Sequence, residues 1–228
     1  MHLQIGKKNR YLLYLFLLFF LSTINNKSLE DFDLFDLDIK KINVYGLEDE
    51  DNIEISRKLM QFIPENIFFI NKEYFIDILN KNNLIHSFSI RKHYPNSIDI
   101  NIIKTNFLAS TNRDGKLFII GSNGKLIRSN LNNLNLPYVF GEVEIKKFIN
   151  FIEMINKSKY NIDEIKEFYY FQSGRWDIKI KKEILIKLPK DDLLNSLNYS
   201  FQIINNEKFF KFKTIDLRVP NQLIIVNE

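Results

Sequence analysis

The 228-residue sequence predicts an α+β protein: an N-terminal transmembrane helix, a β-α-α-β-β domain, then a β-rich C-terminal domain with flanking helices. Three observations predict it. An unbroken apolar run from Tyr11 to Leu21 stands directly behind Lys7, Lys8 and Arg10. Residues 39–104 pass in order through a strand period, two helical periods and two more strand periods. From Phe107 onward, short alternating runs are punctuated by turn dipeptides and interrupted by two helical stripes.

The apolar run comprises Tyr11, Leu12, Leu13, Tyr14, Leu15, Phe16, Leu17, Leu18, Phe19, Phe20 and Leu21. A basic flank ahead of such a core stays cytoplasmic, so everything after Ser22 is delivered across the membrane. Counted to Ile24, the run gives roughly 14 residues, or about 21 Å of helix, against a hydrocarbon thickness of about 30 Å. By length a cleaved signal peptide fits. Yet Leu21-Ser22-Thr23-Ile24 lacks the small-residue pattern of a cut site, and Leu3 and Ile5 extend the buried helix if the basic side chains snorkel. The favoured expectation is a retained anchor, with 1–10 as cytoplasmic tail, 11–24 as membrane span and the acidic stretch 25–38 as juxtamembrane linker. A cleaved, soluble binding module is the alternative.

The next elements follow from their periods. Ile39 to Tyr45 reads as a strand ended by Gly46, and Glu48 to Ile63 as a helix with Ile55, Leu59, Phe62 and Ile63 on one face, stopped by Pro64. A second helix spans Lys72 to Lys81. Strands Ile85 to Tyr94 and Ser97 to Lys104 turn at Pro95-Asn96, and Ile98, Ile100 and Ile102 alternate with polar residues. A small sheet with both helices on one face buries these stripes and closes a domain at 39–104.

The remainder, 105–228, is β-rich. Asp114-Gly115 and Asn123-Gly124 flank a hairpin strand at Lys116 to Ile120. Helices are expected over Glu142 to Ile155 and Asp191 to Ile204. Between them Trp176, Ile178 and Ile180 alternate with Asp177, Lys179 and Lys181, and Ile184, Ile186 and Leu188 return. Two short strands, Thr214 to Val219 and Leu223 to Val226, close the chain around Pro220 and Asn221. Proline is tolerated mainly at sheet edges and bulges, so this tail belongs at the sheet border, where unpaired N–H and C=O groups can accept a strand from another chain.

Several function classes lose support. The chain has no cysteine, hence no disulfide framework and no thiolate chemistry. His2, His86 and His93 have no metal-ligand spacing, and Ser122, Ser129 and Ser173 lack a nucleophile elbow. Gly121-Ser-Asn-Gly124 is a hairpin turn rather than a phosphate loop, and the acids Glu48 to Asp51 suit a helix start. The net charge of +4 is spread among acids, which argues against a nucleic-acid partner. No catalytic residue, cofactor, metal or small-molecule substrate is expected. A periplasmic cell-wall hydrolase or transferase is the rival class.

The order of these parts, with several local runs, resembles the bacterial cell-division family FtsQ, called DivIB in Gram-positive bacteria. Ile39-Lys-Lys-Ile42-Asn-Val44-Tyr-Gly46 looks like the opening strand of its POTRA domain, and Arg91-Lys-His-Tyr-Pro95-Asn-Ser-Ile98-Asp-Ile100 like its R-x-x-P-x-x-L-x-I turn. Leu136-Pro137-Tyr-Val139-Phe-Gly141, Arg175-Trp176-Asp177-Ile178, Lys187-Leu188-Pro189 and Ile215-Asp216-Leu217-Arg218-Val-Pro220 are similar to further runs of alphaproteobacterial members. The chain departs from the family at Lys104 to Ala109, where E-R-x-P-x-A is usual and only the final alanine is kept, at Gly174, and at Lys182-Glu183. The resemblance implies a non-enzymatic, single-pass inner-membrane protein of the division septum, its bulk periplasmic, whose β domain binds FtsB and FtsL. Combined with the edge reading, it directs attention to Arg175, Trp176, Asp216, Leu217, Arg218, Val219, Pro220, Asn221, Gln222, Leu223, Ile224, Ile225 and Val226 as partner-binding residues, with the two arginines attracting acidic groups.

Overall fold

The computed structural model describes residues 7–23, 37–61, 66–128, 135–206, 213–219 and 222–226. Residues 1–6 of the expected tail, residue 24 of the expected span, 25–36 of the expected linker at 25–38, the helix end at Phe62 to Pro64, and Pro220 and Asn221 lie outside these residues.

The first sheet has three strands in the order β1-β3-β2, formed by β1 (Lys41–Tyr45), β2 (Ile85–His93) and β3 (Ser97–Lys104). β1 runs parallel to β3, which the intervening helices α2 (Asp49–Met60) and α3 (Lys72–Lys81) make possible, because parallel neighbours need a long crossover. β2 and β3 form the antiparallel hairpin expected at Pro95. Ile98, Ile100 and Ile102 of β3 share one core with Ile42 and Val44 of β1, Ile55 and Leu59 of α2, and Phe75 and Leu79 of α3.

The second sheet has nine strands in the order β12-β11-β10-β9-β8-β7-β4-β5-β6. They are β4 (Phe107–Arg113), β5 (Lys116–Gly121), β6 (Leu126–Arg128), β7 (Tyr138–Phe140), β8 (Ile165–Tyr170), β9 (Trp176–Ile180), β10 (Leu185–Lys187), β11 (Thr214–Asp216) and β12 (Ile224–Val226). Two of its parallel pairs are βαβ units. α4 (Ile145–Lys157) carries the chain from β7 to the parallel β8, and α5 (Leu193–Ile204) carries it from β10 to the parallel β11. Phe148, Phe151, Ile152 and Ile155 of α4 and Leu197 of α5 meet Phe168, Trp176, Ile178 and Ile186 in one core, so both helices cover the same sheet face. The second crossover places β11 beyond β10, and β12 folds back along it antiparallel.

The turn after β5 does more than reverse the chain. Asn123 Nδ2 donates to the carbonyls of Asn83 and Ile85, each at 2.9 Å, and Asn83 Nδ2 donates to the Leu126 carbonyl at 2.7 Å, joining the two domains by amide bonds.

The segment expected to span the membrane, 11–24, is helical through Thr23. The helix there, α1 (Lys7–Thr23), has 17 residues, and its first four, Lys7 to Arg10, contain three basic residues. Among the described residues no helix is long and apolar enough to cross a membrane. At 1.5 Å per residue α1 is about 25 Å long, short of the ~30 Å hydrocarbon core. Its apolar side chains from Tyr11 to Leu21 are nevertheless all exposed.

Candidate partner-binding edge

β12 is the edge strand that the proline placement predicts, and it ends the nine-stranded sheet with no further strand beside it among the described residues. Its Ile224 and Val226 point outward, 46% and 40% exposed, while Ile225 between them is half-buried. Alternation on a strand is what puts Ile224 and Val226 on one side. Inside the edge, Ile215 and Leu217 are buried with Ile203 of α5, which fixes the tail to the domain.

Register aligns charged groups across the strands beside this edge. Asp177 on β9, Lys187 on β10, Asp216 on β11 and Ile224 on β12 lie opposite one another in sequence. Each aspartate has an arginine two residues away, just outside its strand. Arg218 Nε donates to both carboxylate oxygens of Asp216, at 2.8 and 3.0 Å, and its Nη2 adds a further bond. Arg175 Nε donates to Asp177 Oδ1 at 3.3 Å while its guanidinium lies over the Phe171 ring at 4.1 Å.

The two aspartates respond oppositely. Hydrogen bonds from Arg218 hold the Asp216 carboxyl below its usual range, against a smaller burial effect. Burial pushes the Asp177 carboxyl up, and the Arg175 and Arg218 charges offset this only in part. Asp216 therefore stabilises the fold above the ordinary carboxylate range, an effect lost as pH falls through its depressed folded pKa. Asp177 has the other sign, weakening the fold as pH rises through its ordinary value to the raised folded one. Asp216→Asn is expected to cost roughly 1–2 kcal/mol at neutral pH and to narrow that deficit in acid. Asp177→Asn is expected to leave neutral stability equal or higher, an advantage that vanishes in acid. Thermal melts of the parent and both variants from about pH 3 to 7 check the signs.

A groove of about 740 Å³ adjoins the edge, with Asp191, Asn195, Tyr199, Arg218, Val219 and Leu223 among its lining residues. Tyr199 stands out, 48% exposed on α5. The sequence pattern missed it, although it falls off the buried stripe of that helix, which is the signal for an outward aromatic.

Several expected contact residues are not at the surface. Trp176 is 4% exposed and stacks on Phe151, with ring centroids 4.4 Å apart and planes 3° apart, so it belongs to the core. Asp216 and Leu217 are also buried. Neither arginine is a bare cation waiting for an acid, since Arg175 is paired with Asp177 and Arg218 with Asp216. The surface of the expected set consists of Val219, Gln222, Ile224, Val226 and the outer part of Arg218, flanked by half-buried Leu223 and Ile225. Pro220 and Asn221 lie outside the described residues.

Comparison with known proteins assigns the family. The model of the FtsQ-type POTRA domain matches residues 37–104, and that of the C-terminal domain of cell division protein FtsQ/DivIB matches 109–218. The chain belongs to the FtsQ/DivIB family. It is 22% identical over 164 residues to cell division protein FtsQ of Bradyrhizobium diazoefficiens, covering 70% of this chain and 48% of that one. FtsQ of Rickettsia typhi is 23% identical over 200 residues, with 82% and 71% covered. DivIB of Clostridium acetobutylicum is 29% identical over 192 residues, with 77% and 76% covered. The chain thus spans about half the length of the Bradyrhizobium relative and about seven-tenths of the Rickettsia one. The extracytoplasmic domain of DivIB from Geobacillus stearothermophilus overlaps 42% of this chain and 87% of its own, at 10% identity and a TM-score of 0.33, too slight a likeness to support a conclusion.

Proposed function

We propose that this FtsQ/DivIB-family chain is a non-enzymatic assembly protein of the division septum, linking early and late division proteins by binding FtsB and FtsL through its second domain. The observation that carries the reading is the outer side of β12, which pairs with no strand among the described residues, with Ile224 and Val226 exposed beside the Tyr199 groove. In this reading a segment of the partner adds a strand to β12, main-chain bonds supplying affinity and alternate side chains specificity. The exposed apolar surface of α1 supports a companion proposal. α1 seats in the inner membrane as a signal anchor with its basic end in the cytoplasm, the bilayer thinning to meet its length, and the bulk of the chain is periplasmic. Confinement to one bilayer raises the effective concentration of partners anchored there, so a short edge contact suffices.

Ile224→Lys with Val226→Lys tests the edge. Lysines along an edge discourage strand addition, and both side chains are exposed, so the fold has little to lose. Capture of FtsB in a pull-down is expected to fall about 30-fold or more, the loss of one strong apolar contact site, with the melting temperature nearly unchanged. Unchanged capture would remove the edge assignment. Deleting the whole tail is a poorer test, because it strips buried Leu217 as well.

A further inference from the structure

The first domain has two distinct ends. β3 leaves for the second domain at Lys104, while the chain enters from α1 at Leu37 and Asp38, about 25 Å away along the sheet. At that entry end Asp38 bridges Asn66, and the Ile67 amide donates to the Leu37 carbonyl at 2.8 Å. A single helical turn, Ile67–Phe69, is pinned there. Asn66 Oδ1 accepts from the Phe68 amide at 2.9 Å, Lys92 Nζ donates to the Ile67 carbonyl at 2.7 Å, and Ile67 is fully buried. The firm inward side forces the next two side chains outward. Phe68 is 56% exposed and Phe69 78%, and Tyr94 of the β2–β3 turn, 60% exposed, has its ring centroid 5.3 Å from that of Phe68.

We infer that Phe68, Phe69 and Tyr94 form a lipid-contact surface that rests the entry end of the first domain on the headgroup layer of the bilayer holding α1. The occupant follows from the tether. Residues 24–36 are only 13 residues long, so even fully extended they hold Leu37 within about 50 Å of the end of α1. Three exposed aromatic rings at the tethered end match the interfacial preference of amphipathic aromatic side chains. Exposed Lys40, Lys41 and Lys72 stand against Asp38 and Glu73 in the same segments, a small net charge, so the contact draws on the rings more than on charge and holds on zwitterionic lipid. It orients the second domain, attached at the opposite end, away from the membrane.

This rests on the proposal that α1 seats in a bilayer, and the experiment separates the two. The chain has no cysteine, so Phe69→Cys or Ile103→Cys gives the full-length protein one labelling site. Ile103 is 62% exposed near the far end of the sheet and serves as the control. Each variant carries an environment-sensitive fluorophore and is incorporated into phosphatidylcholine vesicles, or into nanodiscs at one copy per disc, with spin-labelled lipid as quencher. The expected result is a blue shift and quenching at position 69, unaltered by salt, and neither at 103. Co-flotation with vesicles but no quenching at 69 overturns the lipid contact and leaves the anchor standing. Failure to co-float overturns both. A shift in crowded vesicles that disappears in single-copy nanodiscs assigns the patch to a second copy of the chain and overturns the lipid contact.

Discussion

Gly46→Ala is expected to destabilise the first domain by about 3 kcal/mol or more, whereas Gly115→Ala, also at positive φ, is expected to cost about 1 kcal/mol. Gly46 ends β1 at a φ of +110°, and a Cβ there would sit 1.8 Å from the Ile102 carbonyl oxygen of β3. Backbone must move to admit it, and the backbone in question carries Ile102, part of the domain's core. Gly115 has a φ of +74° in the β4–β5 turn with nothing within 4 Å of an added Cβ, so only its conformational preference is lost. The readout is built into the chain. Trp176, the sole tryptophan, lies in the second domain's core, so its fluorescence follows that domain alone while far-ultraviolet circular dichroism follows both. Gly46→Ala should add an early dichroism transition that the fluorescence does not share. Coincident transitions would mean that the two cores unfold as one unit.

What the sequence discloses depends on how local the cause is. The alternation Ile98, Ile100, Ile102 and the helix at Lys72 to Lys81 are set by neighbours within one element, and the structure has them at the expected residues. β8 escaped because its period is broken. A register shift between Ile165 and Glu167 puts buried Ile165 and Phe168 three residues apart, which reads as neither a clean strand nor a helix. β7 is three residues long and too short to show a period. The parallel pairings are not local at all, since β7 meets β8, and β10 meets β11, only through a whole helix.

The candidate site divides along the same line. The edge position of β12 follows from a proline, a local property, whereas the two arginines, expected to draw acidic partner groups, are taken up by aspartates two residues away in their own chain. The groove exists because the α5 crossover delivers Tyr199 and Asn195 beside a tail some twenty residues later in the chain. No period in either segment announces that meeting. Buried Leu217 was expected at the contact surface for a related reason. A three-stranded border looks open in sequence until α5 supplies Ile203 to cover its inner side.

Trp176→Ala is the second large effect, an expected loss of about 3–5 kcal/mol from the second domain. The indole stacks face to face on Phe151 and lies within 4.8 Å of the Tyr170 ring and 6.1 Å of the Phe148 ring, so truncation opens a cavity lined by three aromatic residues. β9, which it begins, stands between β8 and β10, and every strand out to the β12 edge hangs from it. On the proposed edge contact, FtsB capture would therefore fail in Trp176→Ala even though the indole is buried, and that variant alone would mislead. Trp176→Phe separates the two roles, keeping a ring against Phe151 at a cost of about 1–2 kcal/mol and leaving exposed Ile224 and Val226 in place. Retained capture in Trp176→Phe, alongside a melting temperature sharply lowered in Trp176→Ala, is the result a core residue gives. Loss of capture in Trp176→Phe without loss of stability would instead make the indole a contact residue, reached by opening of the α4 side of the sheet.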